Sequence, residues 1–234
     1  MRIKIIYIYT LFSFLISCST TYNIESYSDS VMIVNEQADS NILSIIKPYQ
    51  DKIKKEMDEV ISFSYYDLMK GKPESTIGNF VTDLCLKYTN ADVCIMNNGG
   101  LRTSIYKGEI TRGKIYELMP FENELVVLEL NENDFLGLVN YILKRKGEPF
   151  SGFKIIAKNN KLVEYSFNHE LKNKNKIRVL TSDYLANGGD KMWFFKEKKQ
   201  EKVGLKVRDA IIDYCMKNDT IKVELDNRIV IENE

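Results

Sequence analysis

Histidine is almost missing from this 234-residue chain: there is one, His169, in the polar run Asn168-His169-Glu170. A single imidazole excludes a histidine-rich binuclear metal centre. It also excludes a Ser-His-Asp or Cys-His nucleophile, since no motif surrounds it, and His169 reads as a solvated loop residue. Net charge is missing too. Lys plus Arg and Asp plus Glu both number 33, so no basic field recommends a nucleic acid polymer as partner. Cysteine is sparse. Beyond Cys18 there are Cys85, Cys94 and Cys215, without a Cys-x-x-Cys spacing, which argues against both a zinc knuckle and a disulfide framework. Cys85 and Cys94 lie in apolar settings and are expected in the core. The acids Asp92, Asp183, Asp190 and Asp213 lack the spacing of a calcium loop, so no metal or cofactor is expected within the chain. Asp92 and Asp183 read as structural or turn residues.

What is present starts at the N-terminus. Arg2 and Lys4 flank the start of an apolar run that extends from Ile5 to Ile16 and closes in Leu15-Ile16-Ser17-Cys18. That order is a secretory signal peptide, and the run is shorter than the roughly 20 residues a spanning helix needs. Ser17-Cys18 resembles the bacterial lipoprotein box. The resemblance implies cleavage before Cys18, lipid attachment at that residue, and export to the bacterial cell envelope on a periplasmic or outer-membrane face. Residues 19–44 are polar and rich in Ser, Thr, Asn and Tyr, and read as a tether. Residues 45–234 then make one domain, long enough for a good core.

Hydrophobic periodicity predicts helices over 42–59, 76–88, 132–144 and 203–216. Alternating or continuous apolar runs predict strands over 60–66, 92–96, 124–130, 153–157, 162–167, 176–181 and 221–231. Helices and strands without regular alternation, and without an internal repeat, give an α+β domain with mixed sheets flanked by helices.

Three segments carry chemistry. Asn97-Asn98-Gly99-Gly100-Leu101-Arg102 follows the apolar run 93–96, a strand end opening into a loop whose glycines let backbone amides approach a ligand. Arg102 adds a fork of donors for a phosphate or another oxygen-rich group. Met119-Pro120-Phe121-Glu122-Asn123 fixes an aromatic beside a proline. The run from Ser182 through Asp183 and Tyr184 to Asn187-Gly188-Gly189-Asp190 is another strand end leading into Gly-Gly. Taken singly, each segment also has an ordinary reading: a glycine turn beside a surface arginine, and aromatics packed in the core. Taken together they offer two rings to sandwich a heterocycle and a carboxylate to accept from a ribose diol.

The order Gly78-Asn79, Ala91-Asp92, Asn97 to Arg102, Gly108-Glu109-Ile110-Thr111, Pro120-Phe121-Glu122-Asn123, Asn187-Gly188-Gly189-Asp190 resembles the C-terminal domain of bacterial and animal 5'-nucleotidases. The resemblance covers residues 45–231. It implies a domain that binds the nucleoside part of a nucleotide, with Phe121 and Tyr184 stacking on the base. Asp190 corresponds to the acid that holds the ribose hydroxyls, and Asn97 and Arg102 to groups that contact base and sugar or phosphate. Gly99, Gly100, Asn123, Gly188 and Gly189 complete the implied substrate site. Three positions depart from the family: Tyr184 replaces the usual phenylalanine, Asn98 stands where another glycine is common, and Lys70 or Lys72 is nearest to where an upstream arginine is usual.

In that family, hydrolysis uses two metal ions held by a separate N-terminal metallophosphoesterase domain, which is not expected here. Two readings remain open. One is the recognition half of a split 5'-nucleotidase, acting in nucleotide catabolism with a metallophosphoesterase subunit that supplies the divalent metals. The other is a non-catalytic nucleoside- or nucleotide-binding surface lipoprotein. A scaffold that kept only the fold is less favoured, because the set Phe121, Tyr184, Asp190 and Arg102 is intact. Loops 106–112 and Gly147-Glu148-Pro149-Phe150 read as exposed, offering docking surface for the partner or equally serving as ordinary solvent-facing connections.

Overall fold

A computed structural model describes residues 37–171 and 176–232. The predicted signal peptide, Cys18 and residues 19–36 of the predicted tether lie outside the described residues. The chain divides between Leu43 and Ser44, and every strand among the described residues belongs to Ser44–Glu234. In chain order the elements are α1 (Ser40–Met57), β1 (Val60–Ser64), α2 (Thr76–Leu86), β2 (Val93–Ile95), β3 (Gly108–Thr111), α3 (Arg112–Leu118) and β4 (Glu124–Leu130). They continue with α4 (Glu132–Lys144), β5 (Phe150–Ser151), β6 (Phe153–Lys158), β7 (Lys161–Phe167), β8 (Ile177–Ser182) and α5 (Asp183–Ala186). Two 3-10 turns, Gly189–Lys191 and Trp193–Phe195, precede β9 (Glu201–Lys206), α6 (Val207–Lys217), β10 (Thr220–Ile221) and β11 (Ile229–Glu232). The fold is α+β.

The five-stranded sheet β5-β2-β8-β4-β9 organises the domain. Because side chains alternate across a strand, its faces feed two separate cores. Cys94, Leu125, Val127 and Leu180 pack with α2, α3 and α6 through Phe80, Leu84, Ile115, Leu118, Ile211 and Cys215. Their neighbours Val93, Ile95, Val126, Leu128 and Val179 face the other way, onto Phe135, Leu138, Val139 and Ile142 of α4 and onto Phe153 and Ile155 of β6. Burying each large apolar side chain contributes about 1.5–3 kcal/mol, so neither face of this sheet could stand in water. The smaller sheets are β10-β1-β3 and β11-β6-β7.

Local signals set the helix starts. Ser75 caps α2 by accepting from Gly78 N at 3.1 Å, and Asn131 caps α4 by accepting from Asp134 N at 2.9 Å. The apolar stripe that predicts α1 is uncovered: Ile42, Leu43, Ile45, Ile46 and Ile53 are all exposed.

Four expectations need correction. Residues 203–206 belong to β9, not to the last helix, because Val203 and Leu205 alternate along an edge that pairs with β4. The strand predicted over 221–231 is two short strands parted by a connection, with Asn227 at φ 56° turning the chain so that Arg228 is buried. Arg228 makes paired hydrogen bonds to Asp83 and Asp226 and donates to the Phe150 carbonyl at 2.7 Å, which locks the C-terminal segment to α2. Residues 147–150 are buried, not a docking surface. Within 106–112, residues 108–111 form β3, paired with β1, where an exposed loop is expected.

Candidate functional site

Sheet direction brings the three sequence segments together. β2 and β8 run parallel, with Val93 opposite Val179 and Cys94 opposite Leu180, so the loops after them leave the same edge. β4 runs antiparallel to β8, with Leu125 opposite Ser182, so the loop before β4 arrives at that edge. Asn97 to Arg102, Met119 to Asn123 and Asp183 to Asp190 therefore meet, although 93 residues separate Asn97 from Asp190.

Between them lies a cleft of about 310 Å³, lined by Asn97, Gly99, Gly100, Arg102, Phe121, Asn123, Tyr184 and Asp190. These are eight of the ten substrate-site residues predicted from sequence. Phe121 is 41% exposed and Tyr184 46%, so neither ring is the core aromatic of the ordinary reading. Arg102 Nη1 donates to the Gly99 carbonyl at 3.1 Å, and its guanidinium carbon stands 5.9 Å from the Phe121 ring centre. The remaining two residues act on the walls. Gly188 takes φ 92°, a left-handed conformation that starts the turn carrying Asp190. Gly189 makes room for an aromatic: a Cβ there would fall 2.5 Å from a Tyr184 ring carbon.

Asp190 is the most connected group in the cleft. Asn97 Nδ2 donates to its Oδ2 at 2.7 Å, Tyr184 Oη to its Oδ1 at 3.1 Å, and Tyr141 Oη to its backbone carbonyl at 2.9 Å. Tyr141 comes from α4, where burial raises the pKa of its phenol. No sequence signal marks its role, since it reads as one more residue near a helical face. Glu148, expected on an exposed loop, sits in a place that no local sequence signal marks either. Its side chain is fully buried under the glycine loop, accepting from Asn98 N at 2.7 Å and from Arg145 Nε at 3.0 Å. Asn98 itself donates from Nδ2 to the Gly147 carbonyl at 3.2 Å, so its side chain ties the loop to that buried segment.

The Phe121 segment is held by residues far along the chain. Arg208 of α6 donates to the Phe121 carbonyl at 3.4 Å and pairs with Glu122, which also pairs with Lys206. Hydrogen bonds from Lys206 and then Arg208 hold the Glu122 carboxyl down at about 2 from its ordinary 4.5. Asp183 spans two elements by accepting from Glu124 N at 3.2 Å and from Tyr184 N at 2.7 Å.

Lys70 and Lys72 do not line the cleft. Lys72 donates to the Arg145 carbonyl instead. His169 does not line it either; its Nε2 lies 3.8 Å from Oδ1 of buried Asp92, whose Oδ2 accepts from Arg178 N at 2.8 Å. Among the described residues no three His, Cys, Asp or Glu side chains cluster as a metal site. With one histidine in the whole chain, this donor set does not fit the two-metal centre that the family resemblance implies. Cys85, Cys94 and Cys215 are buried free thiols, and burial pushes Cys85 and Cys215 up to about 12.

The sequence pattern of the family described as 5'-nucleotidase, C-terminal domain, matches residues 60–197. A 5'-nucleotidase of Vibrio parahaemolyticus serotype O3:K6 is 23% identical over 180 residues, which are 72% of this chain and 32% of that protein. An apyrase of Tabanus yao is 26% identical over 230 residues, 81% of this chain and 41% of that protein. Among solved structures, a 5'-nucleotidase precursor from Thermus thermophilus superposes with a TM-score of 0.72 at 26% identity, over 82% of this chain and 43% of that one. The chain thus spans roughly a third to two fifths of the length of these two curated relatives.

Proposed function

Because the chain belongs to the 5'-nucleotidase C-terminal-domain family, we propose that it is the nucleotide-recognition part of a 5'-nucleotidase-type phosphohydrolase. In this reading the base lies between Phe121 and Tyr184, Asp190 accepts from the ribose diol, and Arg102 directs the phosphate out of the cleft. Binding and orientation are this chain's contribution. The observation that carries the reading is the convergence of Phe121, Tyr184, Asp190 and Arg102 on one cleft from three separate loops. In this reading a metallophosphoesterase subunit supplies the hydrolytic metals, since among the described residues no three His, Cys, Asp or Glu side chains cluster to hold them. The charged start, apolar run and Ser17-Cys18 support export and lipid anchoring at Cys18 in the bacterial cell envelope.

Calorimetric titration of the detergent-solubilised full chain with adenosine and then AMP tests the recognition step, followed by a phosphate assay with added manganese. Binding is expected without phosphate release until a metallophosphoesterase is supplied. Phe121→Ala should weaken binding by about 1–3 kcal/mol, the usual worth of base stacking. Unchanged affinity in that variant removes the clamp from the reading. Metal-dependent release by the chain alone removes the separate subunit. Binding that no metallophosphoesterase converts to hydrolysis leaves a non-catalytic nucleoside-binding surface lipoprotein.

A further inference from the structure

The hydroxyl of Tyr184 is the atom by which this cleft departs from a plain pair of stacking rings, and it points at the acid. Tyr184 Oη donates to Asp190 Oδ1 at 3.1 Å while Asn97 Nδ2 donates to Oδ2 at 2.7 Å. A carboxylate offers about four lone-pair sites, two on each oxygen. One donor on each oxygen leaves one acceptor site on each, and those two match two vicinal hydroxyls. The backbone below is fixed as well: Asp190 sits at φ 51°, ψ 20°, with its carbonyl held by Tyr141 Oη at 2.9 Å. The phenol ring lies directly over Gly189, where a Cβ would meet it at 2.5 Å.

We propose that the Tyr184 hydroxyl is a positioning group that sets ribose specificity. By holding one oxygen of Asp190, opposite the hold of Asn97 on the other, it makes the carboxylate a fixed two-acceptor fork for the 2'- and 3'-hydroxyls of a nucleoside. The inference rests on the nucleoside reading of the cleft. Phenylalanine at this position keeps the ring over Gly189 and removes only the hold on Oδ1. The carboxylate then turns about its Cβ–Cγ bond, and the acceptor geometry for the diol is no longer set in advance. Stacking and sugar recognition are therefore separable at one oxygen atom.

The test is titration of the full chain and of Tyr184→Phe with adenosine, 2'-deoxyadenosine and 3'-deoxyadenosine. The wild-type chain should prefer adenosine to each deoxynucleoside by about tenfold or more, the usual worth of a hydrogen bond to a charged group. In Tyr184→Phe the deoxynucleosides should bind within about twofold of wild type, and the adenosine preference should shrink to about threefold or less. A preference that survives in the variant overturns the proposal, as does a wild-type chain that does not discriminate; both leave the nucleoside reading standing. An equal loss for all three ligands also overturns it, since the ring rather than the hydroxyl would then be the cause. Binding of none of the three by the wild-type chain brings down the nucleoside reading and this proposal with it. Should Tyr184→Phe fail to fold, Asn97→Ala removes the hold on the other oxygen and is expected to reduce the same ratio.

Discussion

At the scale of single residues, the cleft depends as much on absent side chains as on present ones. Gly189 lies under Tyr184 so closely that any Cβ would collide with the ring or with the Tyr184 carbonyl oxygen at 2.6 Å. Gly189→Ala should therefore displace the ring, weakening adenosine binding by about 1–3 kcal/mol, the stacking contribution. Calorimetry gives that number, and circular dichroism of the same sample checks that the fold is kept. The polar and aromatic site residues could be read from sequence because each stood in a loop with an unusual neighbour: Arg102 after Gly-Gly, Phe121 after proline, Asp190 after Gly-Gly. Glu148 and Tyr141 could not. A glutamate between glycine and proline reads as solvated, and only the fold shows that its carboxylate is buried beneath Asn98. Tyr141 reaches Asp190 across 49 positions of sequence, a distance over which no local pattern carries information.

At the scale of elements, β4 and α4 were legible to the residue, because β4 centres on the apolar run Leu125 to Leu128 and α4 carries an apolar face of Phe135, Leu138, Val139 and Ile142. The failures lie where a local pattern competes with a distant partner. Val203 to Lys206 sits directly before a helical stripe, yet pairing with β4 draws it into the sheet. Residues 222–228 were read as part of a strand, yet the ion pairs of buried Arg228 with Asp83 and Asp226 hold them elsewhere. The link between α6 and the Phe121 loop has a pH signature. The Glu122 carboxyl, lowered from 4.5 to about 2 by Lys206 and Arg208, binds protons less readily folded than unfolded. Its stabilising effect is thus complete above about pH 4.5 and is lost as pH falls toward about 2. Thermal midpoints of the wild type and Glu122→Gln, measured from pH 7 downward, should differ most at neutral pH and converge as the solution approaches pH 2. A constant gap across that range would show that Glu122 acts through packing and not through its charge.

At the scale of the whole molecule, the balanced charge offers no basic field for a nucleic acid polymer and says nothing about small ligands, while one histidine is too few for a histidine-rich binuclear centre. The envelope location proposed for the chain is tested by labelling cells with palmitate. Wild-type chain should carry the label and sediment with membranes, whereas Cys18→Ser should be unlabelled and remain in the precursor form. Label on the Cys18→Ser chain would end the lipoprotein reading. The convergence of loops from β2, β4 and β8 on one edge has a final consequence. A ligand that touches Arg102, Phe121 and Asp190 at once staples together three strands whose order in the sheet differs from their order in the chain. No fragment ending before β8 contains the cleft, and loosening any one of the three strands dissolves it. Occupancy is therefore a readout of the intact sheet, and each increment of bound ligand should raise the melting temperature of the domain as one cooperative unit.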